Sequence, residues 1–317
     1  MNYSSLPWAM PRFRPPSEAY SILLQVSIGC TWNRCAFCNM YKDIKRFQRR
    51  PLQDILDDIV TASMYCRNYT SLFMGDSNSM VLATEDLIKI LDTIYANFPK
   101  MKRVTSYARA KTIAKQKTVE ELKALHDHGL TRLHVGLETG DDELLTIIQK
   151  GATAQDMING GKKIVESGIS LCFYIMPGIG GKEHTKQNAI GTANVLNQVN
   201  PDYIRVRTFM PNPGTPLWDK VQNKELTMLT PEETLQEEHE LLQKLEVTSN
   251  FVSDHMLNYP VYDNGWIQLD GKLPEDKAKL LTLIETTLKA IETDPAVKQF
   301  YEGHRRQREV QALMGTL

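Results

Sequence analysis

The chain has 317 residues, 42% of them apolar, with 37 basic against 38 acidic side chains. That supports a packed core in one large α/β domain with an extension, or in two small domains. The balanced charge argues against a nucleic-acid or membrane-surface partner, and no apolar run approaches the ~18 residues of a membrane span. The N-terminal Met1-Asn-Tyr-Ser-Ser-Leu-Pro-Trp8 lacks a basic start followed by an apolar run, which predicts no secretory leader and a cytoplasmic, reducing setting.

The first predicted element is a strand over 21–28, an apolar run that ends at Gly29-Cys30. Residues 51–66 place Leu52, Ile55, Leu56, Ile59 and Met64 at helical spacing. A second strand over 71–74 stops at Gly75. Thr84 is the expected cap of a helix with Leu87, Ile88, Leu91, Ile94, Tyr95 and Phe98 on its apolar face. A third strand spans 103–107, and Thr118-Val-Glu-Glu121 is a capping box for a helix ending at Gly129. Strands over 132–136, 170–176 and 203–209 follow, with helices between them, one of them over 183–198.

Six short apolar strands alternating with helices predict a parallel sheet. A closed eight-fold barrel typically needs about 250 residues, whereas the repeat here runs from roughly 20 to 215 and stops at six, so a partial (β/α)6 TIM-like barrel is expected over 1–216. Such barrels carry their chemistry at the C-terminal ends of the strands. Cys30, Gly75-Asp76, Ser106, Glu138 and Pro177-Gly178 all fall there and are expected to share one rim. Residues 217–317 form a mainly helical extension, with a strong helix start at Thr230-Pro-Glu-Glu233, an irregular aromatic stretch over 251–273 and a helix over 274–293.

Of the five cysteines, three sit within nine residues: Cys30-Thr-Trp-Asn-Arg-Cys35-Ala-Phe-Cys38. A reducing compartment makes that spacing a metal centre before a disulfide framework. Three thiolates can hold three irons of a four-iron cube and leave the fourth iron open, whereas electron-transfer clusters close that position with a fourth cysteine. An open iron can be chelated by the amine and carboxylate of S-adenosylmethionine. A structural zinc site would need a fourth Cys or His at matching spacing, and no second Cys-x-x-Cys exists. Cys66 and Cys172 read as small buried hydrophobes.

On these residues the chain resembles the radical S-adenosylmethionine superfamily, with Phe37 matching the aromatic before the last cysteine and with one extra residue between the first two, CxxxxCxxC. It is similar to an uncharacterised subgroup with this spacing, near the branch that holds the methylthiotransferases and the oxygen-independent coproporphyrinogen oxidases. The resemblance implies a [4Fe–4S] cluster on Cys30, Cys35 and Cys38, S-adenosyl-L-methionine as cofactor, and a reductant such as a flavodoxin or ferredoxin. Met74-Gly75-Asp76 resembles the family's glycine-rich turn after the second strand. Ser106-Tyr-Ala-Arg109 and Gly136-Leu-Glu138 look like the polar strand ends that hold ribose and carboxylate, and Gly178-Ile-Gly-Gly-Lys-Glu183 like the segment beside the adenine.

The residue chemistry agrees: Asp76 and Glu138 can accept from an ammonium or a diol, and Arg109 can pair a carboxylate. The plain alternative for each is a rim ion pair, as it is for Lys150, Arg205 and Arg207. His255, in Asp254-His-Met-Leu-Asn-Tyr-Pro-Val-Tyr262, is a candidate proton-transfer residue or a structural histidine. The leading expectation is a radical enzyme acting on an unidentified small molecule. Radical modification of RNA or protein, and a non-catalytic iron–sulfur protein, stand beside it.

Overall fold

The computed structural model describes residues 7–313. Most of the N-terminal segment 1–8 and the last four residues of the extension lie outside the described residues. In chain order the elements are β1 (Ile22–Gln25), β2 (Ser27–Ile28), β3 (Gln48–Arg49), α1 (Leu52–Cys66), β4 (Ser71–Gly75), α2 (Thr84–Asn97), β5 (Arg103–Ala108), α3 (Ala110–Gln116), α4 (Val119–Asp127), β6 (Leu130–Glu138), α5 (Asp142–Ile147) and α6 (Ala154–Glu166). They continue with β7 (Ser170–Ile175), α7 (Thr185–Val199), β8 (Tyr203–Val206), α8 (Pro216–Gln222), α9 (Pro231–Lys244), β9 (Asn250–Val252), β10 (Val261–Tyr262), β11 (Trp266–Ile267), β12 (Gly271–Lys272), α10 (Lys277–Thr293) and α11 (Pro295–Leu313).

The main sheet runs β1-β4-β5-β6-β7-β8-β9-β12. Strands β1, β4, β5 and β6 pair in parallel, with Leu23 opposite Phe73 and Met74 opposite Ser106. This is the expected α/β class: a mostly parallel sheet with helices, followed by a helical C-terminal region. The extension also contributes β9, parallel to β8, and β12, antiparallel to β9.

The chain divides into two compact units that interleave along the sequence. Among the described residues the first comprises 7–33, 40–135 and 159–172; the second comprises 34–39, 136–158 and 173–313. Strands β6 and β7 contribute residues to both. The boundary expected at 216 falls inside the second unit.

In the first unit the core is the apolar face of the parallel strands and the helices on it. Leu72, Phe73 and Met74 of β4 are buried, as are Ile55 and Ile59 of α1 and Leu87, Ile90, Leu91 and Ile94 of α2. Each such side chain stabilises the fold by roughly 1.5–3 kcal/mol. The Thr118 capping box forms as expected. Thr84 does not cap α2. Ala83 holds the cap position, and the Thr84 hydroxyl bonds the Glu121 carboxylate at 2.6 Å and accepts from Lys117 Nζ at 2.8 Å.

In the second unit α9 packs against α7, α10 and α11. Thr230 caps α9 with a full capping box and Pro231 at its first turn. Among the described residues no helix is long and apolar enough to cross a membrane.

Candidate functional site

The cysteine loop leaves β2 through Gly29. In the first unit, Asn33 Nδ2 donates to the Tyr41 carbonyl (2.7 Å) and the Ile44 carbonyl (3.2 Å), and the Asn33 N–H donates to Cys30 Sγ at 3.4 Å. Asn33 takes a left-handed backbone (φ 52°), which asparagine tolerates better than most residues. In the second unit the Ala36 N–H donates to the Ile148 carbonyl (2.8 Å), and the Ala36 carbonyl accepts from the Leu217 N–H (2.9 Å). Asn212 Nδ2 donates to the Phe37 carbonyl (3.4 Å), and the Cys38 N–H to the Cys35 carbonyl (3.4 Å). The loop's backbone is therefore tied at both ends, while Cys30, Cys35 and Cys38 remain part-exposed and outside any disulfide.

Cys66 is also part-exposed, with its thiol pKa pushed up by burial, and Cys172 is buried in β7. Among the described residues no three His, Cys, Asp or Glu side chains gather as ligands of a single ion. Three thiols on a loop suit a cluster instead, because each binds a different iron.

Three consecutive residues after β4 hold the start of this loop. The Asp76 carboxylate is fully buried and accepts from the Gly29 N–H (2.9 Å), the Arg12 N–H (3.2 Å) and Gln25 Nε2 (3.1 Å). Burial pushes its pKa above the usual carboxylate range, and those donors pull it back. The Ser77 hydroxyl donates to the Gly29 carbonyl at 2.9 Å. Asn78, also fully buried, donates through Nδ2 to the Thr31 and Thr112 hydroxyls (3.1 and 2.9 Å) and accepts the Arg109 N–H (3.1 Å). These contacts flank Cys30 on both sides.

Gly75 leaves no room for a side chain, since a Cβ there would lie 2.4 Å from Pro11 Cβ. The Ser106 hydroxyl donates to the Met74 carbonyl at 2.9 Å. The Arg109 guanidinium carbon lies 5.3 Å from the centroid of the Trp32 ring, within cation–π reach on the cysteine loop itself.

The second unit arranges its strand ends differently. Glu138 closes β6 in a left-handed backbone (φ 65°), an uncommon state for a residue with a side chain and one that clusters at functional sites. Its Oε1 lies 2.7 Å from Lys150 Nζ, with 11% and 12% of the two side chains exposed. Gly136 makes room for the pair: a Cβ there would sit 2.2 Å from Glu138 Oε1. Lys150 Nζ in turn lies 5.9 Å from the Phe37 ring centroid. Phe37 and Glu138, expected separately, are thus joined through Lys150.

Gly178 donates its N–H to Glu237 Oε1 (2.8 Å), which also accepts from Asn188 Nδ2 (2.9 Å), while Oε2 accepts from the Thr185 hydroxyl (2.5 Å). Burial pushes the Glu237 carboxyl up to about 7 against these three donors. Gly178 also borders an open cavity of about 370 Å³ whose walls include Phe209, Trp218 and Tyr259.

His255 is half-buried. Its Nδ1 accepts from the Leu257 N–H at 3.1 Å within one turn, and it is not among the residues lining the cavity. Its neighbour Asn258 bonds the Thr208 N–H and the Val206 carbonyl, and Tyr259 lines the cavity.

Asn78 and Glu237 escaped sequence reasoning. Asn78 lies two residues beyond the Gly75-Asp76 signal, and Glu237 occupies a core-facing position of α9, a place where a carboxylate is rarely buried unless bonded.

The chain belongs to the radical SAM superfamily, whose family model matches residues 24–187, just over half of the chain. It is 24% identical over 213 residues to the tRNA-2-methylthio-N(6)-dimethylallyladenosine synthase of Neisseria meningitidis serogroup C, covering 64% of this chain and 47% of that protein. It is 30% identical over 127 residues to the biotin synthase of Clostridium botulinum, covering 40% and 38%. The chain spans under half the length of these curated relatives.

Among solved structures, the radical S-adenosylmethionine methyltransferase TsrM from Kitasatospora setae matches with a TM-score of 0.51 at 19% identity, over 63% of this chain and 39% of that one. The coproporphyrinogen III oxidase HemN from Escherichia coli matches with a TM-score of 0.50 at 16% identity, over 71% and 50%. At these identities they show the fold, a TIM-like partial barrel. Membership makes the chain an enzyme whose cofactors are a [4Fe–4S] cluster and S-adenosylmethionine.

Proposed function

We propose that Cys30, Cys35 and Cys38 ligate the cluster and that the enzyme acts on a small-molecule substrate. One observation carries this reading: three part-exposed thiols lie within nine residues of a loop whose backbone is bonded at both ends. When bound, the cluster and S-adenosylmethionine together supply a 5′-deoxyadenosyl radical.

The chain's own residues do the holding. Asp76, Ser77 and Asn78 fix the backbone on either side of Cys30, so that its thiolate is presented in one position. Asp76 acts as a positioning residue, because its carboxylate is already engaged by three protein donors. Ser106 supports the same turn by bonding the Met74 carbonyl. Lys150 offers the charge for the carboxylate of S-adenosylmethionine, and Glu138 accepts from its ammonium or ribose hydroxyls. Phe37 flanks that pair. Arg109, stacked on Trp32, adds positive charge beside the loop. Gly178 and its segment, held by Glu237, border the adenine. His255 remains the candidate for proton transfer to or from substrate. A flavodoxin- or ferredoxin-type reductant and an intracellular setting complete the reading.

The test is product formation. Anaerobically reconstituted protein given dithionite and S-adenosylmethionine should release 5′-deoxyadenosine, and Cys38→Ala should release none. Iron uptake without any 5′-deoxyadenosine would leave only an iron–sulfur protein. His255→Ala should keep both the cluster and cofactor binding while blocking substrate turnover.

A further inference from the structure

The cavity beside Gly178 shares that one residue with the segment assigned to the adenine, and the rest of its wall lies outside that segment. The cavity wall is mostly apolar: Phe209 and Met210 come from the segment after β8, Trp218 from α8, Leu229 from the approach to α9, and Tyr259 from the loop after β9. Four of its six contributing segments belong to the C-terminal extension, the part of the chain that follows the repeat of strands and helices. Its volume, about 370 Å³, is that of a small-molecule pocket.

The walls are also built rather than incidental. Phe209 donates its N–H to the Pro177 carbonyl at 2.8 Å, and the segment before it is stitched by Asn258. Thr230 caps α9, and Glu237 of that helix holds Gly178. Side chains so supported are a preformed surface, and binding to it costs little ordering entropy.

Charge enters at one place. Arg305 and Glu309 of α11 both line the cavity and face each other at 3.7 Å with about half of each side chain in solvent. An ion pair that exposed contributes little, so an anionic group on a ligand can take over Arg305 at small cost.

We propose that this cavity is the substrate pocket, and that the substrate has an apolar or aromatic body with one anionic end directed to Arg305. This deepens the reading above, since it names the substrate class for the same enzyme, but it rests on the cavity alone and its test does not depend on radical chemistry.

The probe is 8-anilinonaphthalene-1-sulfonate, an aromatic body with one sulfonate. It is titrated into the full chain, reconstituted anaerobically, with and without S-adenosylhomocysteine. The expected result is saturable one-site binding that survives S-adenosylhomocysteine, with energy transfer to the probe that drops in Trp218→Phe. Val221→Trp fills the cavity from a half-exposed position on α8 and should weaken binding by about tenfold or more. Arg305→Ala should weaken it by about threefold, the scale of an exposed charge contact. Circular dichroism and melting on both variants should match wild type.

Displacement by S-adenosylhomocysteine would assign the cavity to the cofactor and overturn the proposal. So would absent saturable binding in wild type, or unchanged affinity in a folded Val221→Trp. In each case release of 5′-deoxyadenosine, measured separately, still reports on the enzyme class.

Discussion

The two units use polar residues at their strand ends in opposite ways. In the first, Asp76, Asn78 and Ser106 are fully buried, and their polar atoms bond to neighbouring chain: Gly29, Thr31 and Met74. In the second, Glu138 and Lys150 keep part of their surface in solvent, and Gly178 borders an open cavity. A polar side chain at the C-terminal end of a parallel strand therefore has two possible employments. The number and kind of partners separate them: Asp76 is fully buried on three protein donors, whereas Glu138, with 8% of its surface exposed, bonds one lysine side chain.

The largest effect expected from breaking this comparison is on the thiols. Replacing any of Cys30, Cys35 or Cys38 with Ala should abolish stable binding of the ~4 irons of the cluster, whereas Cys66→Ala and Cys172→Ala should retain it. Iron and sulfide analysis after anaerobic reconstitution checks this. A cluster that depends on Cys66 or Cys172 would move the metal site elsewhere.

Asp76→Ala comes next. It removes one acceptor from three donors, a loss of about 3 kcal/mol in stability, because buried donors left without partners cost roughly 1–3 kcal/mol each. Urea unfolding of the apoprotein measures it. Asp76→Asn, which keeps an acceptor oxygen, should recover part of that loss. Both variants should leave S-adenosylmethionine affinity nearly unchanged once cluster content is matched. A large affinity loss in Asp76→Asn would return the residue to the cofactor.

Glu237 gives the comparison a pH signature. Its folded-state pKa, about 7, lies above its ordinary value of 4.5. Between those values the folded state holds one proton more than the unfolded state, so stability is fully present below the lower value and falls as pH rises through about 7. The fall amounts to up to about 3 kcal/mol. Melting of wild type and Glu237→Gln from acid to neutral pH tests it, and the variant should lose this slope. An equal slope in both proteins would mean that Glu237 titrates normally.

The smallest stability effect should come from Glu138→Gln. Calorimetry should show S-adenosylmethionine affinity falling by on the order of 1.5–3 kcal/mol, the scale of a charge-assisted bond, with little change in unfolding. The opposite pattern, stability lost and affinity kept, would place Glu138 with Asp76 as a holding residue.

Much of this was legible in the sequence because it is local. The capping boxes at Thr118 and Thr230 depend on residues three apart, and the apolar runs of β4 and β7 announce buried strands. What escaped is non-local. The strand expected over 21–28 breaks after Gln25, because Ser27 and Ile28 pair with Arg49 and Gln48. Thr84 sits at a cap-like position but serves Glu121 and Lys117, more than 30 residues away. Strand β9 has three residues, too few to show alternation, and exists through its pairing with β8. Helix α11 escaped as well, although Val297 and Tyr301 are buried at helical spacing. Asn78 and Glu237 resemble any surface amide or carboxylate until Thr31 and Gly178 are brought to them.

The most direct test of the account is Mössbauer spectroscopy of protein reconstituted with ⁵⁷Fe, without and then with S-adenosylmethionine, in the Cys66→Ala/Cys172→Ala background. The account predicts about four irons per chain, one of which changes its signal when S-adenosylmethionine is added while three do not. Four irons that all ignore S-adenosylmethionine, or a chain that takes up zinc and no iron, would contradict it.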